Sequence, residues 1–180
     1  MNLKRSTNLM WAPWRKTYLR PSSGKRSGCL FCSLLRDKKD KRNLVLFRTA
    51  HYAVILNRYP YNNGHLMIVP KRHIARLSQM NAREKAEFFE VLEKVMDALA
   101  KAMRPQGFNL GMNISDVAGA GIPDHVHWHI VPRWKGDVNF MPVVAGTKVI
   151  SESLESAYEV LRQALIPRTR IGRRVSQRTK

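Results

Sequence analysis

The stretch that decides the fold is Pro123-Asp124-His125-Val126-His127-Trp128-His129-Ile130-Val131-Pro132-Arg133, in which three histidines alternate with apolar residues. Side chains alternate between the two faces of a β-strand, so the pattern predicts a strand with its imidazoles on one face and a core on the other. At about 3.3 Å per residue, the three rings would line a cleft over about 13 Å. Because imidazole titrates near neutral pH, attacks electrophiles and binds metals, we expect this face to carry chemistry.

The remaining pattern predicts an α+β fold, with an antiparallel sheet of about five strands packed with one long and one shorter helix. Asn81 followed by Glu84 resembles a capping box, and apolar residues at helical spacing then predict a long helix over about 82–103. A second apolar stripe predicts a helix over 151–165. We expect Asn62-Asn63-Gly64 to be a hairpin turn joining the second and third strands. The predicted strands are 44–48, 52–57, 65–69, 108–114 and 126–131.

Positive charge is concentrated at the two ends of this 180-residue chain, whose formal net charge is +19. Residues 1–48 hold 13 basic and 2 acidic side chains, and residues 167–180 hold 6 basic and no acidic ones. We therefore expect a basic N-terminal segment at 1–28, one domain at 29–166, and a basic, disordered tail at 167–180. Such a tail either stays solvated or contacts nucleic-acid phosphates nonspecifically.

Hydropathy argues against a membrane protein. No apolar run reaches the roughly 18 residues that a membrane span needs, and the N-terminal basic residues are not followed by the apolar stretch of a secretory signal. The sequence therefore predicts a cytoplasmic location without membrane contact.

The two cysteines, Cys29 and Cys32, suggest a second site. A gap of two residues lets both thiolates bind one tetrahedral Zn²⁺, although redox chemistry or a packed turn gives the same spacing.

Two motifs together resemble a known family. Residues 64–73 read Gly-His-Leu-Met-Ile-Val-Pro-Lys-Arg-His, and the histidine strand ends in Val131-Pro132-Arg133. From about residue 10 to residue 150 the chain resembles the histidine triad superfamily of nucleotide hydrolases and transferases. Residues 10–15 (Met-Trp-Ala-Pro-Trp-Arg) and 119–124 (Gly-Ala-Gly-Ile-Pro-Asp) are more similar to its diadenosine tetraphosphate phosphorylase branch than to the small nucleoside phosphoramidases.

The resemblance implies roles for individual residues. His127, the central histidine, would attack an α-phosphorus and form a nucleotidyl-histidine intermediate, while His129 would donate a hydrogen bond to a phosphate or bridging oxygen. Hydrolase relatives carry a Gln-Ser-Val segment where this chain has residues 121–124, so hydroxyl contacts from that segment are lost. The residues implied to contact the nucleotide or its phosphates are Asn57, Asn113, Gly119, Ala120, Gly121, His129 and Trp134.

The resemblance also implies a cofactor and an assembly. It implies a structural Zn²⁺ with Cys29, Cys32, His73 and His125 as ligands. It further implies a homodimer in which two sheets continue across the interface.

Three functional hypotheses follow. The first is a nucleotidyl hydrolase or transferase that cleaves diadenosine polyphosphates, with the resemblance favouring phosphate over water as the acceptor. The second is a hydrolase in which His125, His127 and His129 hold a catalytic zinc, although a straight line of rings is poor geometry for one ion. The third is a nucleic-acid-associated protein that removes adenylates and binds through its basic ends.

Overall fold

The structure is a computed structural model that describes residues 28–137 and 150–166. The helices are α1 (Leu30–Arg36), α2 (Asp40–Asn43), α3 (Ala82–Met103) and α4 (Leu154–Leu165), with a 3₁₀ turn at Leu77–Gln79. The strands are β1 (Val45–Arg48), β2 (Tyr52–Leu56), β3 (Leu66–Pro70), β4 (Gly107–Gly111) and β5 (Trp128–Arg133). The predicted tail at 167–180 and residues 1–27 of the predicted basic segment lie outside the described residues.

The five strands form one antiparallel sheet in the order β1-β2-β3-β5-β4, which confirms the predicted α+β fold. Ile55 of β2 lies opposite Met67 of β3, and Met67 lies opposite His129 of β5. Residues in register across neighbouring strands share a face of the sheet. His129 therefore lies on the same face of the sheet as the apolar side chains of Ile55 and Met67.

The predicted long helix is confirmed as α3, and its start has the expected capping box. Asn81 Oδ1 accepts a hydrogen bond from the Glu84 N–H, and Glu84 Oε2 accepts one from the Asn81 N–H, both at 2.9 Å. The shorter helix, α4, begins at Leu154 because the Ser153 hydroxyl caps the Ser156 N–H at 3.1 Å. No helix of the described residues is long and apolar enough to cross a membrane.

The connection between β2 and β3 is longer than the predicted hairpin turn. Leu56 pairs with Leu66, so nine residues join the two strands, and the Asn57 N–H donates to the His65 carbonyl at 2.9 Å to close this loop. Asn62 lies within the loop, where its side-chain amide donates to the Pro132 carbonyl at 2.9 Å. The conformation of this loop therefore depends on long-range contacts, which a local turn motif does not encode.

The histidine strand begins and ends two residues later than predicted, because β5 spans Trp128–Arg133 rather than 126–131. Leu66 pairs with Ile130 and Ile68 with Trp128, so the same register would place Pro70 opposite Val126. Proline has no N–H to donate to a ladder. Instead, the Val126 N–H donates to the Ile74 carbonyl at 2.8 Å, outside the sheet.

We predict that Gly64→Ala destabilises the fold by about 2 kcal/mol, through left-handed strain and overpacking. Gly64 has a φ of +69°, and a Cβ there would lie 2.5 Å from Met103 Sδ, 3.2 Å from Leu99 Cδ2 and 3.3 Å from Pro132 Cγ. Gly107→Ala is the control, since a Cβ there meets nothing within 4 Å. Urea unfolding of both variants checks this, and a loss of stability no larger for Gly64→Ala than for Gly107→Ala would contradict it.

Candidate active site

A cavity of about 490 Å³ lies over the sheet, with Ile55, Met67 and His129 among its lining residues. Its apolar walls come mainly from α1 and from the segment that enters β1. His127 and His129 bring two imidazoles to the same space, and their ring centroids lie 4.9 Å apart. The apolar lining residues beside the histidines are Leu30, Phe31, Leu34, Leu44, Leu56 and Ile122.

The His127 ring is held in one tautomer. Its Nδ1 lies 3.0 Å from the His125 carbonyl oxygen, and a carbonyl only accepts, so Nδ1 carries the hydrogen. Nε2 therefore keeps its lone pair. The side chain is 5% exposed, and burial lowers the pKa of His127, although the bond to the His125 carbonyl partly opposes that shift. The ring is therefore neutral at neutral pH, the form in which an imidazole is a nucleophile.

The His129 ring is oriented by His65, a residue that sequence reasoning did not identify as functional. The Tyr61 N–H donates to His65 Nδ1 at 3.0 Å, so the hydrogen of neutral His65 lies on Nε2. That Nε2 donates to His129 Nδ1 at 2.9 Å, which leaves the remaining hydrogen of neutral His129 on Nε2. His65 is fully buried. Its position before an apolar strand was visible in the sequence, but its pairing with His129 depends on the register of β3 and β5.

Five of the predicted nucleotide contacts line the cavity: Asn57, Asn113, Gly119, Gly121 and His129. Asn113 Nδ2 donates to the Gly119 carbonyl at 3.3 Å. Asn57 Nδ2 lies 3.3 Å from His65 Nδ1, and Asn57 Oδ1 accepts from the Tyr59 N–H at 2.9 Å. Both asparagines therefore lie at the cavity in positions set by protein contacts.

The structure does not bring Ala120 and Trp134 to this cavity. Ala120 is buried, and its N–H donates to the Ser115 carbonyl at 3.2 Å. The Gly119 N–H is likewise used, by the Asp116 carbonyl at 2.8 Å. The Trp134 indole N–H donates to the Arg104 carbonyl at 3.2 Å, and Trp134 lines a separate cavity at the end of α3. Hydrogen bonds within the loop thus use the Gly119 and Ala120 N–H groups that we expected to contact the substrate. A hydrogen bond at the end of α3 likewise uses the Trp134 indole N–H.

His125 does not face the cleft with the other two histidines, contrary to the prediction from strand alternation. It is fully buried, and its ring lies beside Cys29, Cys32 and His73. Its Nε2 donates to the Pro70 carbonyl at 2.9 Å, so Nδ1 keeps a lone pair directed at the thiols. Burial lowers the pKa of His125, which favours the neutral form that a metal ligand needs.

The donor atoms of Cys29, Cys32, His73 and His125 all lie within 4.8 Å of one another. His125 Nδ1 is 3.2 Å from Cys29 Sγ and 3.6 Å from Cys32 Sγ, and His73 Nδ1 is 3.4 Å from Cys32 Sγ. A tetrahedral Zn²⁺ with usual bond lengths separates a sulfur and a nitrogen ligand by about 3.6 Å. These residues therefore fit a zinc ion in both donor type and spacing.

The same geometry argues against a catalytic zinc on the three strand histidines. Nδ1 of His129 contacts His65, Nδ1 of His127 is bonded to a backbone carbonyl, and His125 is directed at the cysteines. Among the described residues, the His, Cys, Asp and Glu group that is close enough to hold a metal contains His125 without His127 or His129.

Phe31 connects the cysteine pair to the candidate nucleophile. It lies between Cys29 and Cys32 on α1 and is buried. Its ring centroid lies 5.4 Å from that of His125 and 5.0 Å from that of His127. The start of α1, where both thiols lie, therefore also supplies a packing surface for the His127 imidazole.

Comparison with known proteins places the chain in one family. A family model described as HIT domain matches residues 38–136. The AP-4-A phosphorylase of Mycobacterium tuberculosis is 35% identical over 158 residues, which are 84% of this chain and 81% of that protein. The asymmetrical bis(5'-nucleosyl)-tetraphosphatase of Schizosaccharomyces pombe is 33% identical over 93 residues, which are 52% of this chain and 50% of that protein.

Solved structures agree on the fold. The hypothetical histidine triad nucleotide-binding protein from Sulfolobus tokodaii has a TM-score of 0.62 at 26% identity, covering 76% of this chain and 91% of that chain. A Zn-bound histidine triad family protein from Mycobacterium smegmatis has the same TM-score at 24% identity, covering 77% and 93%. The residues that the family model matches include His127, His129 and most of the other residues that line the cavity, and on these matches the chain is an enzyme of the HIT domain family.

Proposed function

We propose that this enzyme cleaves diadenosine polyphosphates, or related nucleoside 5′-phosphate derivatives, through a covalent nucleotidyl intermediate on His127. The observation that carries the proposal is the neutral His127 ring, whose Nδ1–H is bonded to a backbone carbonyl while the ring lines the cavity. Two curated relatives named for dinucleoside tetraphosphate cleavage support the substrate class. The first of them is named as a phosphorylase, which favours inorganic phosphate as the acceptor.

In the first step, the Nε2 lone pair of His127 attacks the α-phosphorus in line with the bond to the leaving polyphosphate. That phosphorus–oxygen bond breaks, and its electrons leave with the polyphosphate oxygen. The imidazole becomes a cation that keeps its Nδ1 hydrogen, and the His125 carbonyl oxygen stabilises the new charge through a bond that already exists. No base is needed to remove a proton from the nucleophile.

In the second step, phosphate or water attacks the same phosphorus and neutral His127 leaves. Phosphate would release the adenylate as ADP, whereas water would release AMP. His129 serves both steps, because its Nε2–H can donate to the phosphate or bridging oxygen. His65 acts as a positioning residue, since it holds the hydrogen of His129 on that nitrogen.

The cavity provides separate regions for the parts of a nucleotide. Leu30, Phe31 and Leu34 offer apolar surface for a nucleobase, and Asn57 offers amide groups to the ribose hydroxyls. Gly121 lines the cavity, and among the described residues no protein acceptor is seen for its N–H. We therefore assign the phosphate contact to Gly121 and Asn113 rather than to Ala120.

A structural Zn²⁺ completes the proposal, bound by Cys29, Cys32, His73 and His125. When bound, it supplies a crosslink between α1 and the segment that precedes β5. Its role is to hold Phe31 against the His127 ring and to keep α1 as a wall of the cavity.

The remaining assignments stay predictions of the resemblance. A homodimer would form by pairing at β4, which is the edge strand of the sheet opposite β1 and has Leu110 half exposed. Nonspecific nucleic-acid contact through the basic tail and a cytoplasmic location are likewise proposed.

Product analysis tests the reaction. With diadenosine tetraphosphate, we expect ADP and ATP when phosphate is present, and His127→Ala should lower kcat at least about 10³-fold because the nucleophile is gone. His51→Ala is the control histidine, since His51 is bonded to Glu87 away from the cavity. AMP plus ATP at any phosphate concentration would show hydrolysis, and full cleavage by the alanine variant would refute the mechanism.

The positioning role of His65 predicts that two variants at this residue lose kcat to different extents. His65→Leu removes the donor to His129 and should lower kcat by about 10–100-fold with little change in KM, because the bond acts in the transition state. His65→Gln keeps an N–H donor and should recover part of that loss. Steady-state kinetics on folded variants checks this, and equal losses in both variants would indicate a packing role only.

The metal assignment predicts one zinc per chain in freshly purified protein. Cys32→Ser should release the zinc and lower the melting temperature, because a hydroxyl is a poor zinc ligand and α1 loses its crosslink. Ser33→Ala is the control, because it changes the exposed side chain next to Cys32, and it should retain both the zinc and the wild-type melting temperature. Emission spectroscopy and thermal unfolding measure the outcome, and a fresh preparation without zinc would contradict the assignment.

A further inference from the structure

We propose that Cys29 and Cys32 are an oxidation site, at which a peroxide converts the two thiolates into a disulfide, releases the metal and lowers turnover reversibly. This inference rests on the proposed function for its effect on turnover, but the disulfide itself depends only on the cysteine pair. The deciding observation is that the two oxidisable sulfurs, on the N-cap residue and in the first turn of one short helix, flank the ring packed on His127.

The two sulfurs are close together and accessible. Cys29 directly precedes α1 and Cys32 lies in its first turn, and both side chains are partly exposed. Both Sγ atoms approach the same nitrogen, His125 Nδ1, at 3.2 and 3.6 Å. The fourth donor, on His73, belongs to an exposed residue, so a small oxidant can reach the cluster from solvent. Cysteines in a C-x-x-C arrangement are close enough for a disulfide with little backbone movement.

The chemical step balances with a peroxide as the oxidant. One thiolate sulfur attacks a peroxide oxygen, which breaks the O–O bond and gives a sulfenic acid, and the departing oxygen leaves as water after taking up protons from solvent. The second thiolate attacks the sulfenic sulfur and expels a second water. Two sulfurs lose two electrons in total, and hydrogen peroxide is reduced to two waters. The disulfide offers no thiolate, so only the two imidazoles of His73 and His125 remain as ligands and the ion is released.

The loss of the metal is transmitted to the active site by α1 rather than by His125. His125 is still held by its Nε2–H bond to the Pro70 carbonyl, and the next residue, Val126, by its N–H bond to the Ile74 carbonyl. No such backbone anchor joins α1 to the sheet at its first residues in the described structure, where Ser33 N–H bonds only within the helix. Phe31 therefore loses its fixed position against His127, while the hydrogen bond that sets the His127 tautomer survives.

The experiment treats the full-length, zinc-loaded protein with hydrogen peroxide and follows three readouts. A chelating dye should report about one zinc released per chain, and the mass of the peptide 27–36, which contains both cysteines and no methionine, should fall by two hydrogens. Because the chain has only two cysteines, an intramolecular disulfide has a single assignment. Turnover of diadenosine tetraphosphate should fall at least about fivefold, and dithiothreitol with Zn²⁺ should restore it. Oxidation of the eight methionines is not reversed by dithiothreitol, so recovery separates the two chemistries.

A matched variant removes the disulfide but retains four donors. Cys32→His supplies one thiolate and three imidazoles, a donor set that still suits zinc. We choose a peroxide dose that releases the zinc from the wild-type protein. At that dose, we expect the treated variant to keep its zinc and to turn over substrate as fast as the same variant without treatment. Cys29→His is the second variant, for the case in which the first does not fold.

Several outcomes overturn the proposal. Zinc retained with an unchanged mass after treatment would show that the pair is not an oxidation site. Disulfide formation and zinc release with undiminished turnover would refute the link to His127. An untreated protein that does not cleave the dinucleotide would instead refute the proposed function, while the mass and zinc readouts would still decide the oxidation site.

Discussion

The 3.0 Å hydrogen bond from His127 Nδ1 to the His125 carbonyl is the constraint on which the site depends. It determines which nitrogen of His127 has a lone pair, and it is ready to stabilise the cation formed when that nitrogen attacks phosphorus. The His125 carbonyl lies outside the β3–β5 ladder, which ends at the Ile68–Trp128 pair. Pro70 ends the ladder at that point, and its carbonyl accepts from the buried His125 ring. One proline therefore separates a histidine that serves the zinc site from two that serve the cavity.

Each of the three imidazoles in the His125–His129 segment is oriented by defined hydrogen-bond or ligand contacts. His125 is directed at the thiols, His127 at a backbone carbonyl and His129 at His65. Burial favours the neutral form of the first two, which suits both ligation and nucleophilic attack. Phe31 packs against His125 and His127, so the start of α1, where the two cysteines lie, also shapes the cavity. A candidate metal ligand, His125, and the candidate nucleophile, His127, are thus only two residues apart in the chain.

Local patterns in the sequence predicted most of the fold, because helical periodicity, the Asn81–Glu84 capping box and strand alternation are encoded by neighbours in the chain. The Cys29, Cys32, His73 and His125 group, which the structure brings together, was implied by the resemblance to the histidine triad superfamily and not by a local pattern. Strand alternation failed at His125, since whether a ladder continues depends on the partner strand. It also could not identify His65, whose pairing with His129 follows from the β3–β5 register. The helices α1 and α2 are too short for a periodic signal, and the hydrogen bond from the Trp134 indole to a carbonyl at the end of α3 depends on contacts between residues far apart in the chain.

Chemical trapping tests the central claim most directly. Diadenosine tetraphosphate labelled at the α-phosphorus is mixed with excess enzyme and quenched in denaturing alkali within one turnover. The account predicts that label remains on the protein, maps to the peptide containing His127 and is lost in acid, as expected for a phosphorus–nitrogen bond. Product formation at the normal rate with no labelled protein, or a labelled band of equal intensity in the His127→Ala variant, would contradict it.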